Sequence, residues 1–350
     1  MSLADDVIPV TLITGFLGSG KSTLLADLLE GEAARDTAVI VNEFGAIGLD
    51  HLLIGSIDAQ TQLLSHGCLC CALRGELTDA LTTLFSRRAR GEVPPFSRVV
   101  LETSGLATPA PIIATLLGDP VVRGRYKLAG TLTVVDALNA SWQRERHQEW
   151  LDQVSAADRL LISKADLVDE SEVDALQDAL IVLNPVASVM VRRLRADVDA
   201  LREDIFALGD PYVLVRNLGR ITHPPPSSRS LVLRAHQEGL AASRVTSFCL
   251  TLDMPLNWEV FTLWFTMVLN RHGDRILRVK GLLWPDGAER PAVLHAIRHV
   301  VYPVVHPPIS RVELDGPRIS RLVFITNDLA ADALRASHQR FQHYFKDTRR

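Results

Sequence analysis

The sequence predicts an α/β protein with a mostly parallel sheet covered by helices on both faces, followed by a smaller α+β domain. Three observations predict it. Short β-branched apolar runs alternate with segments of helical spacing up to about residue 215. A glycine-rich turn joins the first run to the first helical segment, as strand–turn–helix units require. Beyond a proline- and serine-containing stretch the alternation gives way to clustered strands and two helices.

Taken in order, VIPVTLIT (7–14) is the first strand, and KSTLLADLLEG carries helical spacing that stops at Gly31. TAVIVN (37–42), TQLLS (61–65), SRVVLET (97–103), LAGTLTVVD (128–136) and RLLIS (159–163) read as further strands. Among the intervening helices are LTDALTTLFSRRARG, SWQRERHQEWLDQVSAA and ESEVDALQDALIVLN. THPPPSSRS (222–230) reads as a linker, so the expected organisation is a first domain over 1–215, a linker over 216–244 and a second domain over 245–350. In the second domain VTSFCLTLD, ILRVKGLLW, PAVLHAIRHVVY and RISRLVFIT read as strands. NWEVFTLWFTMVLNRHG reads as a helix, and another closes the chain from about 328 to 345. If PAVLHAIRHVV is one strand, His295 and His299 share a face, although packed or solvated side chains are the simpler reading of that pair.

Composition excludes several functions. With 47% hydrophobic and 22% charged residues and a net charge of −4, the chain has no basic stripe for nucleic acid. Its longest strongly apolar stretch, VFTLWFTMVL, is half the ~20 residues of a membrane span and reads as a buried helix. The acidic start MSLADDVIPV lacks the basic region of a secretory signal. A cytoplasmic protein with neither nucleic-acid nor membrane partners is expected.

Gly15-Phe-Leu-Gly-Ser-Gly-Lys-Ser22 fits GxxxxGK[ST] and stands after a strand and before a helix, where that motif works. Gly15, Gly18, Ser19 and Gly20 let successive backbone N–H groups curl around phosphate oxygens, and the helix N-terminus adds its positive end. Lys21 would reach the β- and γ-phosphates, Ser22 would ligate Mg2+, and Thr23 could touch the α-phosphate. The expected architecture is therefore a P-loop NTPase domain with a second domain behind it.

Ser163-Lys-Ala-Asp166 follows the strand RLLIS, where GTPases carry NKxD. A carboxylate at Asp166 accepts from guanine N1–H and the 2-amino group, neither of which adenine offers. A buried acceptor left unpaired costs roughly 1–3 kcal/mol. The stem of Lys164 would lie over the base, and Ser163 in place of the usual Asn should weaken the contact without reversing the preference. GTP and GDP are the expected nucleotides.

Two segments complete a nucleotide switch: VNEFG (41–45) and ETSG (102–105), each following a strand. Glu102 is the candidate acid for holding Mg2+, directly or through water, and the Gly105 N–H could sense a γ-phosphate. Glu43 is a second candidate in the catalytic set, with a solvated loop acid as the plain alternative.

HGCLCC (66–71) concentrates Cys68, Cys70 and Cys71, three of four cysteines, within four positions. Core filling and a redox pair are both possible readings, but soft thiolates suit Zn2+ or Cu(I) and metal binding is the stronger one. A tetrahedral Zn2+ would need one or two more ligands, with Glu43 and His66 the local choices, or a water or client protein. If the stretch is extended, Cys71 points away from Cys68 and Cys70; a turn could bring all three together, and otherwise one stays spare or serves a second subunit.

GFLGSGKST, VNEFG, GCLCC, ETSGLA and SKAD, in that order, together resemble the CobW-like P-loop GTPases, over nearly the whole chain. The departures are Ser163, His66 and the absence of a histidine-rich tract, the 11 histidines being scattered. The resemblance implies a GTP-hydrolysing metallochaperone with a CxCC site and a small C-terminal domain, delivering metal to a client metalloprotein. Zn2+ is expected first, from softness and tetrahedral preference; Co2+ second, from the resemblance. A homo-oligomer is possible. The rival readings are a P-loop ATPase or kinase, against which SKAD argues, and a nonhydrolytic metal-sensing partner protein.

Overall fold

The computed structural model describes residues 7–30, 36–42, 61–64, 71–193, 198–206, 208, 245–252, 256–307 and 318–347. The chain divides into two compact units, Met1–Asp178 with Val189–Gly209 and Ala179–Ser188 with Asp210–Arg350. The expected linker, 216–244, lies outside the described residues.

The elements of the first unit are β1 (Ile8–Gly15), α1 (Lys21–Leu28), β2 (Thr37–Asn42), β3 (Thr61–Leu64) and α2 (Cys71–Ala89). They continue with β4 (Arg98–Glu102), α3 (Pro109–Gly118), α4 (Pro120–Arg123), β5 (Tyr126–Asp136), α5 (Ala140–Arg146) and α6 (Gln148–Ala156). β6 (Arg159–Ser163), α7 (Glu170–Leu183), β7 (Ser188–Val191) and α8 (Val198–Phe206) follow, α7 and β7 each crossing the division between the units. The strands form one seven-stranded sheet in the order β3-β2-β4-β1-β5-β6-β7. Pairing is parallel from β3 through to β6. β1 sits centrally with every residue but Pro9 buried, as expected of an apolar strand sheltered on both faces. Leu24, Leu25 and Leu28 of α1 and Leu201 and Ile205 of α8 pack on Ile13, Val39, Val100 and Leu132.

Register explains how distant motifs converge. Ile13 pairs with Glu102, so the acid closing β4 lies beside the end of β1, where the glycine turn begins. Asp136 pairs with Ser163, which sets the SKAD loop against the end of β5. All these ends lie at the carboxyl edge of the sheet around the point where strand order reverses, where open α/β sheets bind ligands.

The second unit holds a five-stranded sheet in the order β11-β10-β9-β12-β8, built from β8 (Val245–Leu252), β9 (Ile276–Leu283), β10 (Ala292–Ile297), β11 (Val300–Val301) and β12 (Ser320–Asn327). Its pairings are antiparallel. The helix α9 (Trp258–His272) buries Phe261, Trp264, Phe265, Val268 and Leu269 in the core of this unit, to which Leu334 of α10 (Ala331–Asp347) also belongs. Among the described residues no helix is long and apolar enough to cross a membrane.

Two expectations are corrected. PAVLHAIRHVVY is a hairpin rather than one strand: Ile297 pairs with Val300 around Arg298 (φ 54°) and His299. His299 therefore leaves the strand, and its Nε2 lies 3.1 Å from Asp274 Oδ1, while the His295 ring faces Tyr302; they form no ligand pair. SWQRERHQEWLDQVSAA is two helices, because His147 is extended (φ −128°, ψ 113°) and its ring packs on Phe16 and Trp142 at centroid distances of 4.5 and 5.1 Å. The helix expected to follow the cysteine cluster is α2, and it opens at Cys71, so alternation along a strand does not apply to that residue. The elements β7 and α8 carry no strong signal in the sequence and enter with the structure.

Candidate functional site

The turn between β1 and α1 has a backbone only glycine holds easily: φ is 143° at Gly15, 71° at Gly18 and 91° at Gly20. A Cβ at Gly15 would also lie 2.3 Å from the Val134 carbonyl oxygen of β5, so close packing and conformation both select glycine. Ser19 N–H donates to Phe16 O (3.1 Å), which tightens the curl. Gly20 is the N-cap of α1 and no side chain caps the helix, leaving its first-turn amides to face an anion. Lys21 is buried, and its Nζ donates to Gly15 O (2.9 Å) and Phe16 O (3.1 Å), which places the ammonium over the loop. Thr23 is exposed on the same turn.

Across the sheet, Ser22 Oγ donates to Glu102 Oε1 at 2.7 Å, although 80 positions separate them. The Glu102 carboxylate is buried, so two hard oxygen donors meet in a low-dielectric setting beside Lys21. Next in the chain, Thr103 N–H donates to Ile13 O (3.0 Å) and its hydroxyl to Thr14 Oγ1 (2.9 Å), which ties the loop after β4 to β1. Gly105 presses against the phosphate loop: a Cβ there would lie 2.6 Å from Leu17 N and 2.7 Å from Leu17 Cα.

The SKAD loop closes the site from the other side. Ser163 Oγ donates to Ser19 O (2.7 Å) and Val135 O (3.2 Å), linking the base-side loop to the phosphate loop across 144 positions. Lys164 adopts φ 57°, and its Nζ donates to Asp136 Oδ2 at 2.7 Å. Asp136 is fully buried and also accepts from Leu138 N–H (3.0 Å) and Asn139 Nδ2 (2.8 Å). The lysine stem is thereby drawn along the loop, and Asp166 stands exposed in the 3-10 turn Ala165–Leu167 that follows.

The structure thus brings Gly15, Gly18, Ser19, Gly20, Lys21, Ser22, Thr23, Glu102, Gly105, Ser163, Lys164 and Asp166 to the carboxyl ends of β1, β4 and β6. Glu43, His66, Cys68 and Cys70 lie outside the described residues, and of Cys71 only its position at the start of α2 is described. Among the described residues there is no group of three or more metal-ligating side chains. Asp136 and Gln153 stand in no sequence motif. A carboxylate ending an apolar strand, as in TVVD, is a usable signal for the first; no local pattern marks the second.

A parallel sheet with a glycine turn between β1 and α1 and an acid closing the neighbouring strand defines a P-loop NTPase. This chain belongs to the CobW/HypB/UreG family. The family's nucleotide-binding domain (CobW/HypB/UreG) matches residues 9–191, and the cobalamin synthesis protein cobW C-terminal domain matches residues 245–342. The chain is similar to the zinc chaperone YjiA of Escherichia coli, 32% identical over 94% of this chain and 97% of that protein. It is also similar to the zinc-regulated GTPase metalloprotein activator 1 of Schizosaccharomyces pombe, 31% identical over 53% of this chain and 46% of that one. The crystal structure of the Zn(II)-bound YjiA GTPase superposes with a TM-score of 0.68 at 25% identity, covering 96% of this chain and 99% of that chain.

Proposed function

We propose that this protein is a GTP-hydrolysing zinc metallochaperone that passes its metal to a client metalloprotein. The observation that carries the nucleotide half is the Ser22–Glu102 contact, which joins the phosphate loop to the acid of the neighbouring strand. A serine hydroxyl and a carboxylate are the hard donors that suit Mg2+, which when bound offsets charge on the β- and γ-phosphates. Lys21 stabilises the same charge from the loop, and the Gly105 N–H meets the terminal phosphate. Asp166 reads guanine, with Lys164 steadied by Asp136.

The metal half is supported by the cysteine cluster in the sequence and by full-length likeness to a protein named a zinc chaperone. Cys68, Cys70 and Cys71 supply thiolates, with Glu43 or His66 completing the shell. The cluster leads directly into α2, between the two switch segments, so loss of γ-phosphate alters the ligand geometry and releases metal. Zn2+ is the first cargo and Co2+ the second.

The test is competition titration of the reduced full-length protein with Zn2+ and Co2+, in GTP-analogue and GDP states. It is repeated with Cys68, Cys70 and Cys71 all changed to serine. Metal affinity should differ between nucleotide states by about 5–150-fold, with nucleotide affinity shifted reciprocally by metal. Equal metal affinities in both states would sink the switch, and undiminished binding in the triple variant would remove the cluster as the site.

A further inference from the structure

The loop after β4 is held by a group outside every motif. Gln153, on α6, is fully buried, and its Nε2 donates to Gly105 O and to Ala107 O, each at 3.0 Å. Both neighbours are carbonyl oxygens, so only the amide nitrogen can face them. Its Oε1 is buried without a hydrogen-bond partner. An apolar residue would fill a purely structural position with no such unmet acceptor, so the amide's value lies in the two bonds it makes.

Its platform is firm. Trp150, Leu151 and Val154 bury the same helix, and the Gln153 carbonyl accepts from Thr133 Oγ1 of β5 at 2.8 Å. On the other side of the loop Gly105 touches the Leu17 backbone, with no room for a single carbon between them. The loop is therefore pinned between a buried amide and the phosphate loop. The Gly105 N–H shares its peptide plane with the Ser104 carbonyl, which accepts from Ala107 N–H (3.2 Å), so holding the Gly105 and Ala107 carbonyls fixes the turn that carries it.

We infer that Gln153 is a positioning residue: by holding the Gly105 and Ala107 carbonyls it aims the Gly105 N–H at the terminal phosphate, and so sets discrimination between triphosphate and diphosphate. The inference rests on the GTPase reading above and extends it to a residue that never touches nucleotide.

The experiment uses the full-length protein with Gln153→Leu and, separately, Gln153→Met, which keep bulk while removing both donors. Affinities for a nonhydrolysable GTP analogue and for GDP are measured beside kcat, KM and the thermal midpoint. The expected result is about a thirtyfold loss for the analogue, as for two lost hydrogen bonds of ordinary strength, GDP affinity within about twofold, and a fall in kcat. A merely structural residue would lower the midpoint and weaken both nucleotides alike, and an unchanged analogue-to-GDP ratio in either folded variant overturns the inference. Hydrogen exchange of residues 103–108 in the unaltered protein gives a second reading that needs no variant. Slower exchange with the analogue than with GDP is expected, and equal exchange overturns the inference as well. Unaltered protein that fails to bind either nucleotide would overturn the GTPase reading itself, and this inference with it.

Discussion

Gly105→Ala adds one carbon to the loop after β4 and removes none of the proposed phosphate ligands. The new Cβ would lie 2.6 Å from Leu17 N and 2.7 Å from Leu17 Cα and Cδ2, where ordinary contact begins at 3.4 Å. The leucine side chain can rotate away, but the backbone atoms cannot. Leu17 lies inside the turn closed by Ser19 N–H on Phe16 O, and Lys21 binds both Gly15 O and Phe16 O. On the opposite side Gln153 holds the Gly105 carbonyl. The two loops must therefore separate by about 0.8 Å, the gap between 2.6 and 3.4 Å. Overpacking of this kind costs roughly 1–3 kcal/mol, which in a unit of about 200 residues lowers the thermal midpoint by about 2–12 °C. A displacement of this order in a phosphate-facing group lowers turnover by about 10²-fold. Steady-state phosphate release from GTP and a thermal melt, measured on the same preparation, check both numbers. Turnover within about threefold of the parent together with an unchanged midpoint would refute the placement of Gly105 against Leu17.

Two further expectations follow from particular side chains. Asp166→Ala should remove the acceptor for guanine N1–H and the 2-amino group and reduce the preference for GTP over ATP by at least about tenfold, leaving ATP affinity nearly unchanged. Competition binding of the two nucleotides checks it, and a preserved preference would assign base reading to another residue. Burial raises the pKa of the Cys249 thiol, with Arg321 acting weakly in the opposite direction. The folded state therefore keeps a proton that the unfolded state gives up. The neutral thiol's contribution to stability is full below the ordinary thiol range and declines as pH rises through it. Alkylation of Cys249 in native protein, followed by peptide mass, should be slower at pH 8 than in unfolded protein and should accelerate at a higher pH than it does there; equal pH profiles in the two states would refute the raised pKa.

Much of this protein was decided within short windows of its sequence. The glycines of GFLGSGK, the alternation of apolar runs with helical spacing, and the acid at the end of SRVVLE depend on φ preferences and side-chain periodicity, which neighbouring residues determine. What needed the tertiary structure is every contact whose partners are far apart in the chain. Ser22 meets Glu102 across 80 positions and Ser163 meets Ser19 across 144, because strand register places those ends side by side. Gln153 reaches Gly105 across 48 positions from a helix whose own spacing reads as ordinary packing. The break at His147 is equally invisible locally, since SWQRERHQEW has good helical spacing and the ring's packing on Phe16 accompanies the extended backbone. Local propensity is worth tenths of a kcal/mol per residue, whereas packing a half-buried ring or making two hydrogen bonds from a buried amide is worth about 1 kcal/mol or more. Where the two disagree the long-range term wins, and it belongs to no single window of sequence.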